Sequence, residues 1–415
     1  MKRIKILIYW EQYSWGGVDA HLLELLSTWP SDRDQFILMV NRGNEGYLRI
    51  QKELALLSNV RCVIVDSYSH NELYRRFKKT FFLKYFSIFL VLLQPLIYWY
   101  FVKCLKKHFI QAGKFDVLIS NNGGYPAAWG SLVALTAAKQ IGIPVRFLLI
   151  HHAATRPMLF MGWFERILDR IISNTAEFIC VSWATRNSLF QNRYFNDETT
   201  RIHVIHNSVS VFSQEMKTDL ITLKKLKSDS EYLIGIVGRI EPYKGQEDLI
   251  LALARLKREE QECIQVVIIG RGIDLEIQRL QQVANCLGVG QKVNFLGYLI
   301  GKSIEVIQQL DLLVMLTRSF EGFGLTVIEA MHAETPVLVT RVGAIPEFVT
   351  QENGVLISPG SPKELANALS NFISYPEKWK ARAKVAKQQL EKNNYFMADE
   401  YRQLCLESLA RCRFT

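Results

Sequence analysis

Short apolar runs recur along the whole chain, separated by segments long enough for a helix, and this alternation restricts the fold more than any other feature. In the first half the runs are Ile4–Trp10, Phe36–Val40, Val60–Val65, Val117–Ser120, Val145–Ile150, Phe178–Val181 and Ile202–Ile205. They read as βαβ units building a parallel sheet. The plan restarts near Leu233–Val237 and continues through Val266–Ile269, Val293–Phe295, Leu312–Leu316, Val337–Val339 and Val355–Ile357. Between the halves, Ser208 to Glu231 is polar and turn-prone and includes Lys224-Lys225-Leu226-Lys227. The expected fold class is therefore α/β, with two doubly wound parallel-sheet domains at residues 1–208 and 232–394 joined by a linker at 209–231. Residues 395–415 form an amphipathic helix that, on topology, crosses back to pack on the first domain.

Composition supports two domains and locates a charge asymmetry. The 415 residues, 49% hydrophobic and 22% charged, suffice for two ordinary cores. Residues 1–210 hold 25 Lys and Arg against 15 Asp and Glu, whereas residues 211–415 hold 25 against 25. A basic half attracts phosphorylated acceptors or an anionic membrane surface, and a plain solvated basic face is the competing reading. The seven cysteines are odd in number and lie in no C-x-x-C or metal-ligand pattern, so they read as reduced thiols. The N-terminal apolar run is too short for a signal peptide and leads into Gly16-Gly17. A cytoplasmic protein is expected.

One segment resists the scheme. Phe81–Val102 is apolar and aromatic, with Arg75, Arg76, Lys78 and Lys79 before it and Lys103, Lys106 and Lys107 after it. It is long enough to span a bilayer, which takes about 20 residues. Strands of one sheet precede and follow it, so a single crossing would divide that sheet between two sides of a membrane. Two readings survive: a buried helix pair broken at Gln94-Pro95, or a helix in the membrane interface with basic and aromatic anchors. Interfacial contact is favoured, making an anionic membrane a partner at region 75–107, at the inner face.

In an open parallel sheet, ligands gather beyond the carboxyl ends of strands, so the residues following each run carry the chemistry. Arg318-Ser-Phe-Glu321-Gly322-Phe323-Gly324-Leu325 follows one such run, and Glu329 stands eight residues beyond Glu321. A helix opening near Leu325 aims free N–H groups and a positive dipole end in front of the glycines, where a phosphate fits. Glu321 and Glu329 can accept hydroxyl hydrogen bonds on either side of it. That combination describes a nucleotide-sugar. Gly238-Arg239-Ile-Glu-Pro-Tyr-Lys244-Gly245 follows another run, and its two cations can clamp a diphosphate and neutralise charge growing on a leaving group.

Weaker candidates line the other half. Gly16-Gly17 allows close backbone approach and is followed by a helix bearing Asp19 and His21; His151 and His152 follow the Val145–Ile150 run. Ser182 with Arg186, and His206-Asn207, end two further runs with hydrogen-bonding groups, and His152, Ser182, Arg186 and Asn207 are the possible acceptor groups. Gly270-Arg271-Gly272 lacks the third glycine of a dinucleotide fingerprint because Leu275 stands there, so NAD is disfavoured. Asp32-Arg33-Asp34 precedes a strand and reads as a polar turn instead of a metal site. No metal, cofactor or nucleic acid is expected.

Taken together, these motifs resemble retaining glycosyltransferases of family 4, which have the GT-B fold and draw sugars from nucleoside diphosphates. The resemblance is strongest from Gly238 to Glu347. It implies that Arg239 and Lys244 hold the donor diphosphate, that Glu329 binds the ribose hydroxyls and that Glu321 contacts the donor sugar. Main-chain groups of Gly322, Phe323, Gly324 and Leu325 support sugar and phosphate, with Gly17 approaching from the other domain. His151 matches the family's active-site histidine, with His152 as the alternative. One departure is Asn207-Ser-Val-Ser210, where the family often has Asn-Gly-Val-Asp. The implied reaction moves a sugar, with UDP the favoured nucleotide, to a hydroxyl of a saccharide or lipid-linked acceptor, with retention, in polysaccharide or glycolipid synthesis. An epimerase of the same fold and a non-catalytic assembly protein are the alternatives.

Overall fold

The fold was obtained as a computed structural model, which describes residues 3–413 apart from 14–15, 45, 67–92, 159–161, 197, 199, 210–219, 229–230, 300–302 and 394–395. It divides into two compact units. Met1–Ser208 with Phe396–Thr415 form the first, and Val209–Tyr395 the second.

In the first unit the strands are β1 (Lys5–Trp10), β2 (Gln35–Asn41), β3 (Val60–Val65), β4 (Val117–Asn122), β5 (Val145–Ile150), β6 (Glu177–Cys180) and β7 (Ile202–Val204). They pair in parallel in the order β3-β2-β1-β4-β5-β6-β7. The central strands are buried on both faces, as Ile6, Leu7 and Ile8 show, which is why the sequence reads as unbroken apolar runs. The helices are α1 (Gly17–Ser27), α2 (Tyr47–Leu54), α3 (Gln94–Ala112), α4 (Trp129–Gln140), α5 (Gly162–Ser173) and α6 (Trp183–Asn192). Right-handed crossovers put α1 and α2 on one face of this sheet and α3 to α6 on the other, and packing of α3 on α4 and of α4 on α5 agrees.

The second unit repeats the design with β8 (Tyr232–Val237), β9 (Ile264–Ile269), β10 (Val293–Gly297), β11 (Leu312–Met315), β12 (Val337–Thr340) and β13 (Val355–Ile357). Their order is β10-β9-β8-β11-β12-β13, again parallel. The strand order reverses direction beside β1 and β4 in one sheet and beside β8 and β11 in the other. Those reversals open the crevices where such sheets bind ligands.

Three regions differ from the sequence expectation or refine it. Within the 209–231 interval, Ile221–Ser228 form a helix, α7, which buries Leu223 and ties Lys227 to Asp311 at 3.2 Å and to the Gln309 carbonyl at 3.0 Å. This stretch is packed structure of the second unit, not free linker. Residues 67–92 lie outside the described residues, so most of the apolar 81–102 segment does too. Its remainder opens α3 at Gln94 with Pro95 in the first turn; one face buries Tyr98, Phe101, Val102, Leu105 and Phe109, and the other exposes Leu96, Trp99 and Tyr100. The last helix (Met397–Arg411) belongs to the first unit. Its Arg402 meets the buried Asp34 at 2.8 Å, its Arg411 meets Glu177 at 2.9 Å, and Tyr401 is buried against His21. Asp34 also accepts from the Trp29 indole at 3.0 Å and the Ile4 amide at 3.0 Å. Among the described residues, no helix is long and apolar enough to cross a membrane.

Candidate active site

The second unit's site grows from the ends of β8 and β11. After β8 the chain turns through Gly238 and Arg239 into a single 3-10 turn, Pro242–Lys244, which Gly245 ends in the left-handed conformation at φ 76°. A Cβ at Gly245 would lie 2.2 Å from the Leu316 carbonyl oxygen, so only glycine lets this turn sit on the end of β11. The Arg318 amide donates to the Tyr243 carbonyl at 2.7 Å, and the Arg318 guanidinium grips Asp248 through two bonds of 2.9 and 2.6 Å. These bonds lock the two post-strand loops together, and the Lys244 ammonium arrives 2.8 Å from Glu321. Thr317, the polar residue closing the β11 run, donates to the same carboxylate at 3.1 Å. Arg239 stands on the other side of the turn, paired with Glu241 at 2.9 Å and donating to the Tyr243 hydroxyl at 3.0 Å.

Gly324, at φ 89°, is the N-cap of a helix (Leu325–His332). Its first intrahelical bonds run from the Val327 and Ile328 amides to the Gly324 carbonyl, so the Leu325 and Thr326 amides precede the ladder and face the loop. Phe323 packs its ring on Phe348 at 4.7 Å, leaving only main chain for a ligand. Two turns along, Glu329 accepts from the Ser303 hydroxyl at 2.5 Å, and its second oxygen is buried with no partner among the described residues. Burial pushes this carboxyl up to about 7, against the opposing pull of Ser303.

In the first unit most polar groups at the carboxyl edge are buried, among them Asp19, His21 and Asn121, with His151 half-buried beside them. His151, directly after β5, holds Asn121 at the end of β4, with 2.8 Å between the imidazole Nε2 and the amide oxygen. Its ring meets that of His21 edge-to-face at 4.6 Å, and His21 lies 3.4 Å from the Tyr401 hydroxyl. Burial, then the neighbouring His21, pushes His151 well below the usual imidazole range, and burial alone pushes His21 down to about 3. Both rings are neutral at pH 7. Asp19 reaches back to the Gly16 amide at 2.5 Å, and burial pushes it up to about 7. Gly17 is the first residue of α1, beside these groups.

The predicted residues therefore fall into two sets. Lys244 meets Glu321, and Gly322, Gly324, Leu325 and Glu329 follow on the same loop and helix of the second unit, while Arg239 turns to Glu241 and Tyr243. His151 points inward to Asn121 and His21 while His152 is exposed, which separates the two adjacent histidines. Ser182 is fully buried as the cap of α6, accepting from the Thr185 amide at 3.1 Å, and is committed to that helix. Arg186 lies over the Phe190 ring at 4.9 Å, and Asn207 is buried. Sequence reasoning passed over Thr317, Ser303 and Asn121. A polar residue ending an apolar run would have pointed to Thr317 and Asn121; Ser303 carries no such signal.

Comparison with known proteins accords with this fold. The family profile "Glycosyltransferase Family 4" matches residues 15–211, and "Glycosyl transferases group 1" matches 219–389. An uncharacterized glycosyltransferase of Methanocaldococcus jannaschii is 31% identical over 188 residues, 43% of this chain and 47% of that one. A D-inositol 3-phosphate glycosyltransferase of Corynebacterium jeikeium is 33% identical over 146 residues, 34% of this chain and 35% of its own. The matches thus span between a third and a half of these relatives' length. Among solved structures, a glycosyltransferase from Rickettsia africae superposes with a TM-score of 0.74 at 17% identity, covering 99% of each chain. Anabaena HepE in complex with UDP and glucose gives 0.68 at 21% identity, covering 99% of this chain and all of that one. Both solved structures share the GT-B fold with this chain.

Proposed function

The chain belongs to glycosyltransferase family 4, and from that premise we propose that it moves a sugar from a nucleoside-diphosphate sugar, UDP-linked by preference, to a hydroxyl of a saccharide or lipid-linked acceptor. The observation that carries this reading is the Lys244–Glu321 pair at 2.8 Å in front of the helix that Gly324 caps. A diphosphate entering there exchanges Glu321 for its own oxygens around Lys244 and takes hydrogen bonds from the Leu325 and Thr326 amides. Arg239 supplies a second cation, so the site's own side chains answer the charge of the leaving group, and we assign no step to a metal. Glu329, already bonded to Ser303, offers its second oxygen to the ribose hydroxyls. Glu321, once displaced, serves the donor sugar.

In the transfer step the bond from the anomeric carbon to the diphosphate oxygen breaks with its electron pair on oxygen, and the acceptor oxygen bonds to the same carbon. The acceptor's proton passes to a phosphate oxygen of the departing diphosphate. Attack from the face the leaving group vacates retains configuration. Arg239, Lys244 and the helix amides stabilise the leaving group while it gains charge. His151, neutral and held by Asn121, contributes a hydrogen-bonding group without positive charge. Asn121 Nδ2 and Asp19 Oδ1, buried without a partner among the described residues, support hydroxyl recognition in the first unit. The structure of Anabaena HepE with UDP and glucose favours UDP as the nucleotide. A role in polysaccharide or glycolipid synthesis at the inner membrane face, with contact through region 75–107, completes the proposal.

The test is donor hydrolysis and binding across UDP-, GDP- and ADP-sugars, with wild type beside Lys244→Ala and with excess EDTA. EDTA-resistant turnover of one donor, lost in the variant, is expected. No binding of any donor would overturn the reading.

A further inference from the structure

Among the described residues, the basic excess of the first unit is concentrated in one helix layer. The helix layer α3 to α6, on one face of the sheet, carries Lys103, Lys106 and Lys107 on α3, Lys139 on α4, Arg166 and Arg170 on α5 and Arg186 on α6. Its only acids are Glu165 and Asp169. Both turn inward, where the fully buried Arg193 bonds Asp169 at 2.8 and 3.1 Å and also pairs with Glu165. Every exposed charge on these four helices is therefore positive. The opposite layer is mixed: α1, α2 and the last helix carry Asp19, Glu24, Glu53, Asp399, Glu400 and Glu407 against four cations.

The same layer holds the exposed tryptophans of the described residues, Trp99, Trp163 and Trp183, at 44%, 59% and 52% exposure. Aliphatic Leu96, Ile110 and Ile167 stand open beside them, and Arg166 lies 4.3 Å over the exposed Tyr194 ring. On α5 the exposed positions read Trp163, Arg166, Ile167, Arg170, a helix face with apolar and cationic groups interleaved. Tryptophan and tyrosine settle at a bilayer interface, where the ring is apolar and its N–H or O–H stays wet, and cations meet anionic headgroups.

We propose that the α3–α6 layer of the first unit docks on an anionic lipid bilayer, with α5 and α6 contributing alongside α3. This deepens the membrane contact above, which named only the segment around α3, and it names the partner as anionic headgroups over apolar chains. A nucleic acid would answer the charge, but it offers the exposed Leu96, Ile110 and Ile167 nothing to enter.

Flotation of the full chain with phosphatidylcholine vesicles, with and without phosphatidylglycerol, tests this. Binding is expected only with phosphatidylglycerol, weakening as salt rises. Arg166→Gln/Arg170→Gln should weaken it about thirtyfold, at about fivefold per cation, and Trp163→Ser further still. Lys52→Gln on α2 should leave it unchanged, and donor hydrolysis should survive in all of these. Equal binding to neutral vesicles, equal loss with Lys52→Gln, or a single-stranded oligonucleotide that displaces the vesicles would overturn the proposal. So would a dimer that the double variant dissociates. A wild type that hydrolyses donor yet never floats sinks the docking face alone; one that floats but handles no donor sinks the function reading alone.

Discussion

At the carboxyl edge of the second sheet the polar side chains are charged, paired and partly open to solvent, as Lys244 is with Glu321 and Arg239 with Glu241. At the matching edge of the first sheet they are buried or half-buried and held without charge or close to it, as His21, His151 and Asp19 are. Built on the same βαβ plan, the two edges suit different partners. Accessible cations with a helix N-terminus recognise phosphate, whereas neutral imidazoles, amides and an enclosed carboxyl recognise hydroxyls. The contrast can be set against a purely structural one: removing a buried ionic anchor at the amino end of the first sheet costs folding free energy, and removing a cation from the second sheet's carboxyl edge costs turnover.

The largest expected effect tests that separation from the structural side. Arg402→Ala leaves Asp34 buried without its cation, a loss of about 3–5 kcal/mol. Hydrogen exchange should show the first unit opening earlier while amides of the second hold, and equal loosening of both would break the comparison. Next, Lys244→Ala should lower kcat about 10²–10³-fold with the melting temperature almost unmoved, since Lys244 sits at a partly exposed edge. A large fall in stability there would erase the contrast.

Glu329 is the exception that sharpens the comparison, because it is a buried carboxyl inside the charged edge. Its folded value of about 7 lies above the ordinary 4.5, so its stabilising contribution is fully present below 4.5 and is lost as pH rises through 7. Glu329→Gln, neutral throughout, should gain about 3 kcal/mol over wild type at pH 8 and nothing at pH 4, while its KM for donor rises. Denaturant midpoints at the two pH values check this; because Asp19 titrates in the same window, the difference between variant and wild type is the quantity to compare. Smallest is Tyr401→Phe. Loss of its contact with His21 should cost about 0.5–1.5 kcal/mol and leave donor hydrolysis intact.

How much of this could be read from the chain depends on the range of the forces involved. The strands were legible because strands covered on both faces must be apolar throughout, and the glycine turns after β8 and β11 because their backbone demands glycine. Lys244 and Glu321 could be named as candidates, but their pairing could not, since it depends on Gly245 resting on Leu316. The helix at 221–228 hid behind its lysines; what holds it is Leu223 and the reach of Lys227 to Asp311, far along the sequence. Asp32-Arg33-Asp34 does form a turn, yet nothing local announces that Asp34 is the buried anchor for Arg402. Burial also set the state of His151 and Glu329, and a sequence shows which group titrates without showing how dry its surroundings are.

The return of the last helix to the first unit fixes an order of assembly during synthesis. The 187 residues of the second unit, 395 less 208, emerge before Phe396 does, a delay of roughly ten to forty seconds at about 5–20 residues per second. Through that interval Asp34 has no Arg402 and Glu177 no Arg411, so the unit encoded second is the first that can finish folding. A ribosome that stops near residue 395 releases a complete second unit attached to a first one whose buried carboxylate has no counter-charge. The helix Met397–Arg411 thus acts as a late clasp, admitting the first unit to its native state only after the second has been made.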